Sequence, residues 1–506
     1  MLAKVITSAF NGIDVIQVSV EVMISPGLPK FVIVGLPDKA ISEAKERISS
    51  AFTAMGFSLP AKRIIVNLAP ADVLKEGSHF DLPIAMAILA ALNIVPAEET
   101  AGYMMLGELS LDGGIKPVSG ILPAAVGAAS AGLGIVCPER QAHEAMWAGN
   151  RALLAASNLL ELVNHFRGQQ IIALPSEPMA FEEKYPVDMS DIKGQQTARR
   201  ALEIAAAGGH HLLMIGPPGV GKSMLAQRLP TILPPMSAKE ALDVSIINSI
   251  SGVPMEHGLR LTRPFRSPHH TASQAALTGG GMRAKPGEVS LAHNGILFLD
   301  ELPEFASSAL DSLRQPLENG VISIARANGH ITYPAKFQLV AAMNPCKCGH
   351  FRDPAKACSS APICALKYQN RISGPIYDRI DLCVGVENVN PWELEKMSAS
   401  ESSSDIRERV LAARTFQSDR LEKFYGEKGL SNARLSGRQI EESGAFEAEA
   451  MELLVKSCEK LGLSARGYYK IMRIARTIAD MAAQPCATRY DIAEAMMFRR
   501  RTEGQI

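Results

Sequence analysis

Residues 216–223 read Gly-Pro-Pro-Gly-Val-Gly-Lys-Ser, a match to G-x-x-x-x-G-K-[ST]. Glycines in such a loop let successive backbone amides face inward, and a helix behind it offers its positive dipole end to phosphate. Gly216, Pro217, Pro218, Gly219, Val220 and Gly221 form the cradle, Lys222 reaches the β- and γ-phosphates, and Ser223 gives a hydroxyl to Mg²⁺. Downstream, Gly295-Ile-Leu-Phe-Leu-Asp-Glu301 is an apolar run ending in two carboxylates. Asp300 is suited to hold the metal's water shell, and Glu301 to polarise an attacking water. The chemistry implied is Mg²⁺-dependent cleavage of ATP.

Two further groups stand out. Cys346, Cys348, Cys358 and Cys364 crowd into one segment and supply the four thiols of a closed, structural zinc site. Their spacing departs from the usual C-x₂-C pair, so a reduced, metal-free loop remains the other reading. Val321–Arg326 and 330–333 flank Ala327-Asn328-Gly329, and Asn-Gly between β-forming runs predicts a hairpin. Arg326 and His330 fall near its tip, where phosphate contacts need no base reading; an ordinary solvated hairpin is the alternative. His269 and His270 read as polar contacts of an inserted loop, not metal ligands, with Gly279–Gly281 and Pro286 marking a mobile segment.

The elements that must carry these groups follow from periodicity. A helix is expected over 196–207, closed by Gly208 and Gly209, then a strand over Leu212–Ile215 leading into the glycine loop. Residues 1–166 mix β-rich runs at 31–34 and 63–68 with helical ones at 41–55 and 82–92, and read as an independent α/β domain. A proline-bearing linker is expected over 167–186, an α/β nucleotide-binding core over 187–390, and an all-helical domain over 391–506. The stretch 82–97 is interrupted by Asn93 and Pro96 and reads as a buried helix, not a membrane span.

Composition narrows the class. At 506 residues the chain exceeds what one core organises. Lys plus Arg and Asp plus Glu number 52 each, so any nucleic-acid contact must come from a local patch. Eight cysteines without a framework spacing, and no secretory leader at the amino terminus, point to a reducing cytoplasm and no membrane partner.

These motifs carry a resemblance. With Phe265-Arg-Ser-Pro-His-His270, the run from Pro286 to Gly295 and Ser373-Gly-Pro-Ile-Tyr-Asp-Arg-Ile-Asp381, the chain resembles, over its whole length, the ComM/YifB group of Mg-chelatase-like AAA+ proteins. The resemblance implies an AAA+ core with a zinc-knuckle insertion and a helical lid. It implies that Asn344 bridges γ-phosphate and lytic water, that Arg379 is a finger reaching a neighbouring subunit, and that Arg466 is the lid arginine, with Arg473 and Arg476 close by. An intrachain pair with Asp378 or Asp381 is the alternative for Arg379. Ile192 is expected to touch the nucleotide. The implied activity is that of a homo-hexameric ATPase driving branch migration of DNA recombination intermediates, as in natural transformation; a chelatase-like motor is the alternative.

Residues 1 to about 165 resemble the Lon-protease-like fold (ribosomal S5 domain 2-like), most clearly at 75–83 and 107–113. That fold's serine and lysine fall on His79 and Leu122 here, although Ser78 and Lys116 lie nearby. The resemblance therefore implies a non-proteolytic platform for DNA or assembly.

Overall fold

The computed structural model describes the chain except residues 1, 151, 176–184, 254–258, 282–283, 327–328, 350–358, 361–362, 390–391, 393–399, 427–428 and 500–506, and except the side chain of Arg326. Most of the expected linker therefore lies outside the described residues.

Alternating apolar residues in the first two strands form a long hairpin, Leu2–Asn11 with Asp14–Ser25, closed by Gly12 and Ile13. Gly12 adopts φ +66°, the left-handed geometry such a turn favours. The hairpin sits at the middle of a seven-stranded sheet, in the order 30–34, 63–69, 14–25, 2–11, 103–105, 134–138, 153–156. Against it lies the helix Asp81–Ala91, whose every residue is buried, as an all-apolar helix requires. Its one charge, Asp81, is met by Arg47 at 2.6 and 2.9 Å.

A second sheet is wholly parallel, in the order Phe265–Arg266, Ile296–Leu299, Gln338–Met343, Leu212–Ile215, Leu382–Gly385. Its central strands are buried on both faces, which explains their apolar sequence, interrupted at Gln338, whose buried amide donates to the Ala205 and His210 carbonyls at 3.0 and 2.8 Å. Within the segment expected to be mobile, residues 282–283 lie outside the described residues. Gly279–Gly280 pairs antiparallel with Lys285–Pro286, and a Cβ on Gly279 would lie 2.6 Å from the Lys285 carbonyl oxygen, so close approach accounts for the glycine.

Helices 403–425, 437–443, 448–461, 465–481 and 489–497 complete the described chain. Arg476, with no exposed surface, binds Asp480 at 2.8 and 3.0 Å and the Gly444 and Pro485 carbonyls at 2.9 and 3.0 Å. It is a structural tie.

The two sheets are joined through Ser249. Its carbonyl accepts from Gly120 N at 3.0 Å, and its hydroxyl donates at 2.5 Å to Glu144, a buried carboxylate that also accepts from Leu122 N at 3.1 Å. No helix among the described residues is long and apolar enough to cross a membrane.

Two histidines make the second sheet sensitive to acid. The Nδ1 atoms of His211 and His293 accept the backbone N–H groups of Leu339 and Lys336 at 2.9 and 3.0 Å, so a proton added there would expel a donor. Burial lowers both rings to about 4 from the ordinary 6.5. Each is neutral when folded, so the stability it contributes is complete above pH 6.5 and is lost as pH falls through about 4. In thermal melts, His211→Asn, whose Oδ1 stands where Nδ1 accepts from Leu339 and does not titrate, should lose less stability than wild type across that interval.

Candidate nucleotide site

The phosphate loop leaves Leu212–Ile215 and enters the helix Lys222–Ile232. Gly219 and Gly221 adopt φ +79° and +89°. Gly216 is constrained by space: a Cβ there would lie 2.2 Å from the Val386 carbonyl oxygen. Lys222 is 8% exposed, and its ammonium donates to the Gly216 and Pro217 carbonyls at 2.8 Å and to Asn344 Oδ1 at 3.0 Å. Burial lowers its pKa, with Asp300 and Glu301 acting against that shift. The ammonium is thus already drawn out of water, and phosphate oxygens are stronger acceptors than the three that hold it.

Ser223 Oγ donates to Asp300 Oδ2 at 2.6 Å, so the two oxygens assigned to Mg²⁺ share one spot. A hydroxyl and a carboxylate, completed by water and phosphate, form a donor set that suits this hard, octahedral ion. Glu301 follows at φ +51°, and its half-exposed carboxylate lies 3.3 Å from His270 Nδ1. Ile215 pairs with Met343, so Gly216 and Asn344 leave the sheet side by side. Ile192 is buried in the cluster against which Val220 packs.

Two contacts were not foreseen. Gln195, left-handed at φ +52°, donates to Glu387 O at 2.6 Å and reaches Val220 O at 3.5 Å, bracing the phosphate loop against the chain leaving the last strand. His270 was read only as a polar loop residue. Neither carries a spacing signal, because each acts through tertiary contact.

Arg379 and Arg466 lie elsewhere. With Glu318, Asp378, Lys470 and Arg473 they line a cavity of about 230 Å³. Arg379 pairs with Glu318, not with Asp378 or Asp381. Asp378 is engaged by Arg466 at 3.1 Å, and Asp381 accepts from His211 N at 3.0 Å. Leu382 pairs with Leu212 and Gly385 with Ile215, which sets Asp381 at the strands' opposite end from the phosphate loop. Four strand residues span roughly 13 Å, so the chain at Arg379, two residues before Asp381, is separated from its own phosphate loop by about the length of the strand.

Of the four thiols, Cys346, Cys348 and Cys364 come within 4.8 Å of one another; Cys358 lies outside the described residues. Tetrahedral zinc with bonds of about 2.3 Å needs sulfurs under about 4 Å apart, and the cluster is close to that spacing. A turn after Cys348 backs onto the phosphate loop: a Cβ on Gly349 would lie 2.6 Å from Pro218 Cδ.

The hairpin Val321–Arg326 with Gly329–Pro334 is docked against the amino-terminal sheet, where a Cβ on Gly12 would lie 2.7 Å from Thr332 O. Exposed His330 lines a cleft of about 950 Å³ with Ser78, His79, Glu108 and Tyr333. In that cleft Ser78 donates to Glu108, and His79 is buried on Ser8 O at 2.8 Å. Leu122 has no exposed surface.

The parallel order with a phosphate loop, a paired acid and a strand-end asparagine at one edge defines the AAA+ class of ATPase. Residues 188–394 match the family model "Magnesium chelatase, subunit ChlI", residues 20–141 "Subunit ChlI of Mg-chelatase", and residues 400–499 "Magnesium chelatase, subunit ChlI C-terminal". Competence protein ComM of Haemophilus influenzae is 42% identical over 504 residues, covering 98% of this chain and 97% of that one. YifB of Escherichia coli is 42% identical over 499 residues, with the same coverage. The magnesium-chelatase 67 kDa subunit of Chlorobaculum parvum is 27% identical over 31% of this chain and 23% of its own length. The chain belongs to the ComM/YifB family of Mg-chelatase-like AAA+ proteins.

If Lys222 grips phosphate and Asp300 holds the metal, Lys222→Ala or Asp300→Asn should lower phosphate release from ATP by roughly 100-fold or more. Wild-type turnover in either variant would remove the assignment.

Proposed function

We propose that this chain is a ring-forming, ATP-driven motor that promotes branch migration and unwinding of DNA recombination intermediates. The observation that carries the ring is the position of Arg379 and Arg466 at the far end of the sheet from Lys222. A guanidinium is the group to neutralise charge developing on a γ-phosphate. From that end it serves the loop of an adjacent copy. Lys222, Ser223, Asp300, Glu301 and Asn344 bind and hydrolyse, and Arg379 and Arg466 complete the neighbour's site. The DNA substrate rests on the resemblance to the ComM-like group, and Arg326 and His330 remain the proposed contacts.

Two experiments test this. Lys222→Ala and Arg379→Ala proteins, each inactive alone, should recover ATP hydrolysis when mixed, because a mixed seam joins an intact loop to an intact finger. No recovery would exclude action across the seam. A labelled four-way junction should be resolved by wild type with ATP and not by Lys222→Ala; an intact junction would remove the DNA-motor reading.

Zinc is proposed for Cys346, Cys348, Cys358 and Cys364, where it would hold the chain beyond Asn344 in place. Native mass spectrometry should find one zinc per chain, lost in Cys346→Ser with a lower melting temperature. The three chelatase-subunit matches favour one second reading, a motor for metal insertion. Stimulation of ATP hydrolysis by porphyrin, with no response to DNA, would select it.

A further inference from the structure

The helix Ala465–Met481 has two faces with different partners. Ile471, Ile474, Ala475 and Ile478 are buried in the apolar core that the C-terminal helices share with the parallel sheet. Arg466, Lys470, Arg473 and Thr477 recur at steps of four, three and four, so they form a second stripe along the same helix. This stripe meets the chain on either side of Arg379. Arg466 binds the Asp378 carboxylate at 3.1 Å. Lys470 donates to the Ile380 carbonyl at 2.7 Å and reaches the Tyr377 carbonyl at 3.4 Å. Thr477 meets His210 at 2.8 Å, and the next residue, His211, binds Asp381 through its backbone N–H at 3.0 Å. Arg473 lines the same cavity as Arg379.

Of these contacts, that of Lys470 holds the backbone itself. Arg379 follows a single helical turn, Gly374–Tyr377, and sits in a second turn where its N–H donates to Ile376 O at 3.0 Å and Ile380 N donates to Tyr377 O at 3.1 Å. A helix this short gains little from cooperativity, and its last carbonyls lack partners of their own. One ammonium with three donors can bond both carbonyls that bracket Arg379. Burial lowers the pKa of Lys470, the carboxylates of Asp381 and Asp378 act against that shift, and Arg473 and Arg466 add to it. The ammonium is thus partly withdrawn from water, and the two carbonyls take the place of its hydration. Glu318 and the Pro375 carbonyl hold the guanidinium of Arg379, the latter at 2.6 Å, but neither reaches the backbone of the turn that carries it.

We infer that Lys470 is a positioning residue for hydrolysis in the adjacent protomer's site: by bonding the carbonyls on both sides of Arg379 it sets where that guanidinium is presented. It acts through Arg379 and not on the nucleotide. The inference rests on the proposed reading of Arg379 as a finger working across a seam.

The test is steady-state ATP hydrolysis by full-length variants, alone and mixed in equal amounts, with thermal melts of each. Lys470→Met, which keeps the length of the side chain and removes its donors, should lower kcat about ten-fold and leave KM for ATP within about two-fold, since the loop of the same chain is untouched. Lys470→Arg keeps an ionised donor and should retain most of kcat. Mixing separates a role across the seam from a role within the chain. Lys470→Met with Lys222→Ala should hydrolyse ATP faster than the mean of the two alone, because the first brings an intact loop and the second a well-placed finger. Lys470→Met with Arg379→Ala should show no such gain, because both lack a working finger. A gain with Arg379→Ala and none with Lys222→Ala would place the effect of Lys470 in its own chain's site and overturn the inference. Wild-type kcat in Lys470→Met would overturn it too, as would no gain in either mixture together with a lower melting temperature, the mark of a purely structural lysine. Lys222→Ala mixed with Arg379→Ala is the control. Recovery in that pair makes the other outcomes bear on Lys470 alone; without it the seam reading falls first, and this inference with it.

Discussion

Every group placed to meet a phosphate hangs from the parallel pairing of Leu212–Ile215 with its two neighbours. That register sends Gly216, Asn344 and Val386 out of the sheet together, since Ile215 is opposite both Met343 and Gly385. The crowding that follows dictates the first glycine of the loop, whose missing side chain leaves room for the Val386 carbonyl. Lys222 is then bonded to Asn344 and Ser223 to Asp300, so the loop is tied to two separate strands. Ligands bind at the carboxyl ends of parallel strands because successive connections diverge there, and in this sheet the divergence is spanned by side-chain hydrogen bonds.

The parts of this arrangement legible in the sequence are those set by local constraints. The phosphate loop, the apolar strand before Asp300 and the helix after Gln195 are written in contiguous residues, and the structure has them within a residue or two. The buried helix at 81–91 was legible for the same reason, since apolar residues on every side leave no solvent face. What was missed is tertiary. Glu318 is distant in sequence from Arg379, and His270 from Glu301, so spacing holds no trace of either pair. One local signal was passed over: Gly12, with Ile13, closes the longest hairpin between two alternating apolar runs, a glycine in a two-residue turn.

The amino-terminal sheet is joined to the ATPase core by contacts of different kinds. The Ser249–Glu144–Leu122 network is polar and buried, with donors matched to the carboxylate oxygens. Such a network fixes geometry, because a shift leaves a buried carboxylate unpaired. The hairpin contact at Gly12 is one of close approach and involves no side chain on the glycine. The two units are thus held at one place by directional bonds and pressed together at another by shape.

The distance between Lys222 and the cavity of Arg379 and Arg466 has an arithmetic side. In the proposed arrangement, a protomer that hosts phosphate at one end of its sheet and lends arginines from the other would be a donor and an acceptor at once. An open row of such protomers holds one fewer complete site than it has members, and closing the row supplies the missing one. Circular closure would therefore make all members equivalent, and a copy lacking only its loop would spoil one of its two seams while still completing the other, whereas a copy lacking both loop and finger would spoil both.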